Sequence, residues 1–244
     1  MKNVKMRSLL IGALSIVLAA SLASPAKAAK NGTVFLYETN PLSGFNSAVV
    51  GYNLVTNSTI GYLRSSGLGY DDNKRNWLQN TTFGSYKVTS NKATDFRVQY
   101  TVAPGRVWSD GTPITGIDLL LTHVIFSREY AKAAGLGDWA AKDVMAFNSA
   151  GISSSTYSQF VAGDPIISSD EMSVTVRYKQ KFPDWWLGGL SPYPVHAWVH
   201  MSEGKTSLQS ASANEAAKER FYAAYKSKNT ALLKEIGKIW STGF

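Results

Sequence analysis

The chain has no cysteine among its 244 residues. That absence excludes disulfides, thiolate metal sites and cysteine nucleophiles. It also leaves no thiol for lipid attachment, so the chain is not expected to be a lipoprotein. Histidine is scarce, with 3 residues, of which His196 and His200 are the close pair. No Gly-x-Ser-x-Gly nucleophile elbow occurs. Gly67-Leu68-Gly69 lacks the rest of a dinucleotide fingerprint. Acids are outnumbered, 17 against 25 Lys and Arg, but four of the bases and none of the acids fall in residues 1–28. The remainder carries a formal +4. No dense basic stripe accompanies it, which argues against a nucleic-acid partner. A chain without bridges must be stabilised by its core, and 44% hydrophobic and 12% aromatic residues are enough to build one.

The N-terminus carries the first positive signal. Lys2, Lys5 and Arg7 precede an almost unbroken apolar run over residues 9–22, and Ala26-Lys27-Ala28 is a small-x-small site. This is the layout of a cleaved secretory signal peptide. The run is shorter than the ~20 residues that cross a bilayer, and Pro25 follows it. The chain is therefore expected outside the cytoplasm, secreted or held in the cell envelope. Intact-mass measurement of the exported protein is expected to show Ala29 as its first residue. A mature form that keeps Met1 to Ala28 would refute the assignment.

The richest stretch lies in the middle. Phe96, Val98, Tyr100 and Val102 alternate with Arg97, Gln99 and Thr101, which predicts a half-buried strand. Trp108-Ser109-Asp110-Gly111-Thr112-Pro113 then supplies turn chemistry. Asp118, or Thr115 before it, is placed to cap the helix that follows. This block resembles the W-[ST]-D-G-x-P-[VI]-T-A-x-D-[VL] signature of family 5 extracellular solute-binding proteins, the peptide- and oligopeptide-capturing receptors of ABC importers. It departs at Gly116, where Ala is usual, a change expected to cost helix propensity and no chemistry. Gly44-Phe45-Asn46 resembles the family's G-[FL]-N-P element, with Ser47 in place of Pro. The order of strand, Phe182-Pro183-Asp184-Trp185, short helix and Pro194-Val195-His196 is similar as well.

Elsewhere, residues 48–63 suggest a helix with Val49, Val50, Tyr52 and Val55 inward, and residues 67–73 a turn-rich connector. A strand over 83–89 is expected to pair with the one at 96–102 through Ser90-Asn91-Lys92. One helix is expected over 119–134, with Leu120, His123, Val124, Ser127 and Ala131 on one side. Residues 166–169 and 173–179 read as paired strands, and 214–226 as a helix with Ala217, Phe221 and Tyr225 together. Residues 230–240 form a further helix, with Leu232, Leu233, Ile236, Ile239 and Trp240 on a face that needs a partner surface.

The fold class is mixed α/β. The resemblance implies a periplasmic-binding-protein-like, type II, two-lobe architecture, of which this chain holds the first lobe and its inserted subdomain. The implied division is a signal peptide at 1–28, the first strand and ligand-facing loop of lobe I at 29–46, an inserted subdomain at 47–165, and a return to lobe I at 166–244 that stops before lobe II. The resemblance also implies a ligand, a peptide or similar small solute, and a membrane permease as partner, with no cofactor. The ligand-facing residues it implies are Thr39 and Asn40 for polar backbone contacts, Gly44 for close approach, Phe45 as an apolar wall and Asn46 to fix the loop.

Catalytic readings find little support. His196, His200 and Glu203 have a weak metal spacing without the glutamate that a zincin motif needs, so structural or surface histidines are the simpler expectation. Asp110 with Asp118, or Asp164 with Asp170, could be proposed as a glycosidase pair, yet each sits at a turn or helix start where an Asp has a local role. Trp108, Pro113 and Asp118 read as structural. The competing reading is a stand-alone secreted carbohydrate-binding or glycan-hydrolysing domain.

Overall fold

The alternation over 95–102 becomes the centre of a sheet. In the computed structural model, which describes residues 37–182, 185–186 and 189–242, strand β4 (Asp95–Val102) buries every second side chain. It pairs antiparallel with β3 (Gly84–Lys92) on one side and with β6 (Ser173–Tyr178) on the other. β5 (Ile166–Ile167) closes the order β3-β4-β6-β5. Phe96, Val98 and Tyr100 lie opposite Tyr178, Val176 and Val174, so the inward face is a continuous apolar layer. The signal-peptide residues 1–28 and residues 29–36 of the expected first-strand segment lie outside the described residues.

Several boundaries differ from expectation, each for a local reason. The β3–β4 turn is at residues 93–94, because Lys92 pairs with Asp95. The predicted connector at 67–73 instead forms a small hairpin, β1 (Gly69–Asp71) with β2 (Trp77–Gln79). The Asp72 carboxylate accepts from the Lys74 and Asn76 N–H groups at the bend, an Asx turn. Helix α1 (Val55–Arg64) is shorter than the predicted 48–63, and it is inside out. Its buried residues are Thr56 and Asn57, while Val55 and Tyr62 are 82% and 85% exposed. Asn57 holds it in place by donating to Ser43 Oγ and to the Tyr52 carbonyl, 2.9 and 2.8 Å. An apolar-periodicity reading does not anticipate a helix docked by an amide.

The predicted 119–134 helix is two helices, α2 (Ile117–Phe126) and α3 (Arg128–Ala133). Ser127 between them is extended, and its hydroxyl accepts from the Tyr130 N–H. A Ser cap offers the backbone an alternative to continuing the helix. The expected inward side nevertheless holds, with Leu120, His123, Val124, Ser127 and Ala131 all buried. α4 (Thr156–Phe160) follows, then α5 (Val195–Ser202), α6 (Ala211–Ser227) and α7 (Thr230–Thr242), which pack on one another.

Two findings correct the sequence reading here. Gly116 is not a tolerated loss of propensity. Its N–H donates to the Glu171 carbonyl at 2.6 Å, and a Cβ there would lie 2.7 Å from that oxygen and 2.9 Å from Val174. The start of α2 sits that close to the strand loop only because no side chain intervenes. The apolar face of α7 is also not bare. Leu233, Ile236 and Trp240 are fully buried. The Trp240 ring meets Phe147, Tyr193 and Trp198 at centroid distances of 6.2, 5.0 and 5.3 Å. Gly237 lets the helix approach the Ala146 carbonyl, which a Cβ would meet at 2.5 Å.

The described residues from Pro41 onward form one compact unit, to which residues 37–40 do not belong. Among the described residues, no helix is long and apolar enough to cross a membrane.

Candidate functional site

The signature turn is fastened from behind by a buried polar network. Gly111 takes φ +85°, as the turn requires. The Asp110 carboxylate accepts from the Thr112 N–H at 3.0 Å and pairs with His196 Nε2 at 2.9 Å. Asn214 on α6 donates to Asp110 Oδ2 and to Thr112 Oγ1, at 3.3 and 2.8 Å, and pairs with His200 Nε2 at 3.1 Å. Burial works against the Asp110 charge, yet the Thr112 groups and the His196 imidazole hold its carboxyl below the ordinary range.

Asp118 is not the helix cap. It lies inside the first turn of α2, fully buried. Its oxygens accept from the Thr115 N–H at 2.9 Å and, at 3.4 Å each, from Trp108 Nε1 and the Val195 N–H. The Thr115 hydroxyl takes the Ile117 N–H instead. Lys218, 1% exposed on α6, brings its ammonium to 3.2 Å from Asp118 and donates to the Pro113 carbonyl at 2.7 Å. Burial pushes the Asp118 carboxyl up from its ordinary value, against the opposing pull of that ammonium.

These contacts occupy the residues that the catalytic readings would have used. His196 and His200 each hold a network partner. His123 pairs with the Tyr157 hydroxyl at 2.9 Å and with Asp164 at 3.4 Å, and burial depresses its pKa despite that carboxylate. Asp170 accepts from Ser168 and from the Met172 N–H. Among the described residues, no group of three His, Asp or Glu side chains is arranged to hold a metal ion.

In front of the network lies a cleft of about 740 Å³. One wall is the loop at Phe45 and Asn46, another the end of α1 at Arg64. A third is the signature turn at Arg106 and Trp108, and the floor includes Tyr193 and Trp198. The volume is within the range of small-molecule sites, and the mixture of aromatic walls with a few polar groups is usual for them. Trp108 is only half-buried, so this residue, read from sequence as structural, also lines the cleft.

Of the loop residues singled out by sequence, two reach this cleft. Phe45 is 45% exposed on its wall, with the Arg64 guanidinium 5.0 Å from its ring centroid, and Arg64 also donates to the Phe45 carbonyl. Asn46 ties the loop down, donating to the Trp240 carbonyl and accepting from the Ala48 N–H, both at 3.3 Å. Gly44 permits a close approach, but to the Tyr52 ring, which a Cβ would meet at 3.0 Å. Thr39 and Asn40 do not belong to the compact unit that holds the cleft; both are exposed, and the Asn40 amide donates to Thr39 Oγ1 at 3.4 Å. Sequence reasoning missed Arg64, Arg106, Asn214 and Lys218. For the last two a signal existed. Asn214 and Lys218 share the buried stripe of Ala217, Phe221 and Tyr225, and a lysine there requires an acid partner.

No family model and no curated protein matches the chain. Among solved structures, a periplasmic EDTA-binding protein, EppA, in its orthorhombic form, aligns with a TM-score of 0.52 at 18% identity. The aligned part of the chain shares its fold with part of a periplasmic binding protein. The alignment covers 68% of this chain and 27% of the EDTA-binding protein, so the shared periplasmic-binding-protein fold spans about a quarter of that protein's length. The mixed architecture of antiparallel sheet and packed helices agrees with the α/β expectation, and the likeness is to a binding protein.

Proposed function

We propose that the chain is the solute-capturing first lobe of an extracytoplasmic receptor that serves an ABC importer, taking up peptides or similar small solutes and presenting them to a membrane permease. The observation that carries this reading is the fold shared with a periplasmic binding protein, coupled to a ligand-sized cleft walled by the Phe45–Asn46 loop. The order of strand, signature turn and helix, read from sequence as family 5, supports it further. In this reading Phe45 is an apolar wall, Asn46 fixes the loop, Gly44 keeps it close to the chain behind it, and Thr39 and Asn40 offer polar contacts to the ligand. The division into a leader at 1–28, a first strand and loop at 29–46, an inserted subdomain at 47–165 and a return at 166–244 belongs to the same proposal, as does export by the cleaved leader.

A two-lobe receptor encloses its ligand from both sides, and enclosed sites cover most of the ligand surface. A single lobe gives up a large share of those contacts, and each ~1.4 kcal/mol lost weakens binding tenfold. The chain alone is therefore expected to bind a peptide mixture weakly but saturably, read as a change in tryptophan emission and by calorimetry. The same titration with oligosaccharides is expected to give no signal. Micromolar binding of an oligosaccharide, or release of reducing sugar from a glycan, would favour the stand-alone carbohydrate domain and overturn the receptor reading.

A further inference from the structure

The charge distribution of the cleft narrows the ligand class. Two guanidinium groups, Arg64 and Arg106, line it. Among the described residues no carboxylate does. Both arginines are exposed, and neither has an acid partner among the described residues. The contrast with other arginines is direct, since Arg97, Arg128 and Arg220 pair with Asp95, Asp138 and Glu203 at 2.7, 2.6 and 2.9 Å.

The acids adjoining the signature turn are already committed. Asp110 is held by Thr112, His196 and Asn214, and Asp118 by Lys218. Neither is available to neutralise the cleft. Arg64 spends one N–H on the Phe45 carbonyl, and a guanidinium has five to give. Arg106 has no side-chain partner among the described residues. A concave site lined by two cations and no carboxylate concentrates positive potential, which favours a bound anion. Arginine is suited to the task because its planar fork matches a carboxylate with two parallel hydrogen bonds. The same cleft is lined by the rings of Phe45, Trp108, Tyr193 and Trp198, of which Phe45 lies 5.0 Å from the Arg64 guanidinium.

We propose that the cleft takes an anionic solute, a carboxylate joined to an apolar or aromatic body, with Arg64 and Arg106 recognising the charge and the four rings the body. This inference rests on reading the cleft as the solute site and adds the chemical class of what enters it.

The test uses the whole chain and two probes of nearly the same shape, N-acetylphenylalanine and N-acetylphenylalaninamide, which differ in one negative charge. At low salt the acid is expected to bind about tenfold or more tightly than the amide, and added salt to erode that difference. Arg64→Gln and Arg106→Gln are each expected to weaken the acid by about tenfold and to weaken the amide by clearly less. Both positions are exposed, so both variants should melt at the parent temperature, which separates lost recognition from lost folding. Equal binding of the two probes, or acid binding that neither variant alters, would overturn the proposal. So would failure of both probes to bind at millimolar concentration. The receptor reading is judged separately by the peptide and oligosaccharide titrations. A cleft that binds neutral peptides and ignores the charge on the probe would refute the anion class and leave the receptor standing.

Discussion

Lys218→Met is expected to lower the stability of the chain in urea by about 3–5 kcal/mol, the usual consequence of removing one member of a buried ion pair. Methionine keeps the length of the apolar stem, so the loss isolates the ammonium. Without it the Asp118 carboxylate, fully buried, keeps only the Thr115, Trp108 and Val195 donors, and the Pro113 carbonyl loses its 2.7 Å partner. Adding Asp118→Leu to that variant should restore part of the stability, because two apolar side chains have no charge to desolvate. The double-mutant cycle then gives the coupling between the two positions. A Lys218→Met change of less than about 1 kcal/mol would mean that Asp118 is protonated and the contact is not an ion pair.

The second large effect is expected at Trp240. Trp240→Ala should destabilise the chain by about 3–5 kcal/mol, since truncating a fully buried tryptophan leaves a cavity that its neighbours only partly fill. Here those neighbours are Phe147, Tyr193 and Trp198, aromatic rings contributed from three places along the chain. The indole N–H of Trp240 has no hydrogen-bond partner among the described residues. Trp240→Phe therefore removes an unsatisfied donor along with some volume, and should cost clearly less than the alanine variant. If the alanine variant were as stable as the parent, α7 would not be docked as described and its apolar face would again lack a partner.

The sequence was most legible where one physical signal dominated. The period-two alternation at Phe96, Val98, Tyr100 and Val102 specified a strand and its buried face. The stripe of Ala217, Phe221 and Tyr225 specified a helix and its inward side. Legibility failed where a polar side chain competed with the apolar pattern. Ser127 divides a helix whose hydrophobic register runs through it without interruption, because its hydroxyl caps the second half. Asn57 docks α1 by hydrogen bonds and leaves Val55 and Tyr62 outward, the reverse of what periodicity implies. Gly116 reads in the sequence as a lost methyl group, whereas in the fold a methyl there would lie 2.7 Å from the Glu171 carbonyl oxygen.

The candidate site was legible in part for a related reason. A motif places neighbours along the chain, so the Phe45–Asn46 loop and the Trp108 turn could be singled out. That they face one cleft depends on Asn214 and Lys218 fastening the turn and on Trp240 anchoring the loop, contacts that span about 100 and 194 residues. Arg64 and Arg106 gave no local signal, since an exposed arginine at a helix end or beside a turn is ordinary. Their significance comes from standing in one concavity without an acid.

The bond between the Asn46 amide and the Trp240 carbonyl has a consequence for the order of assembly. It joins positions 194 residues apart, and contacts of such long range carry the largest loop-closure entropy and form late. A chain made from its N-terminus outward can pair β3 with β4 as soon as both exist, because they are joined by a two-residue turn. The loop bearing Phe45 has no anchor at Asn46 until α7, the last described helix, has been completed and has packed. The cleft of this lobe would thus form after its sheet, and a nascent chain arrested short of residue 240 would have the one without the other.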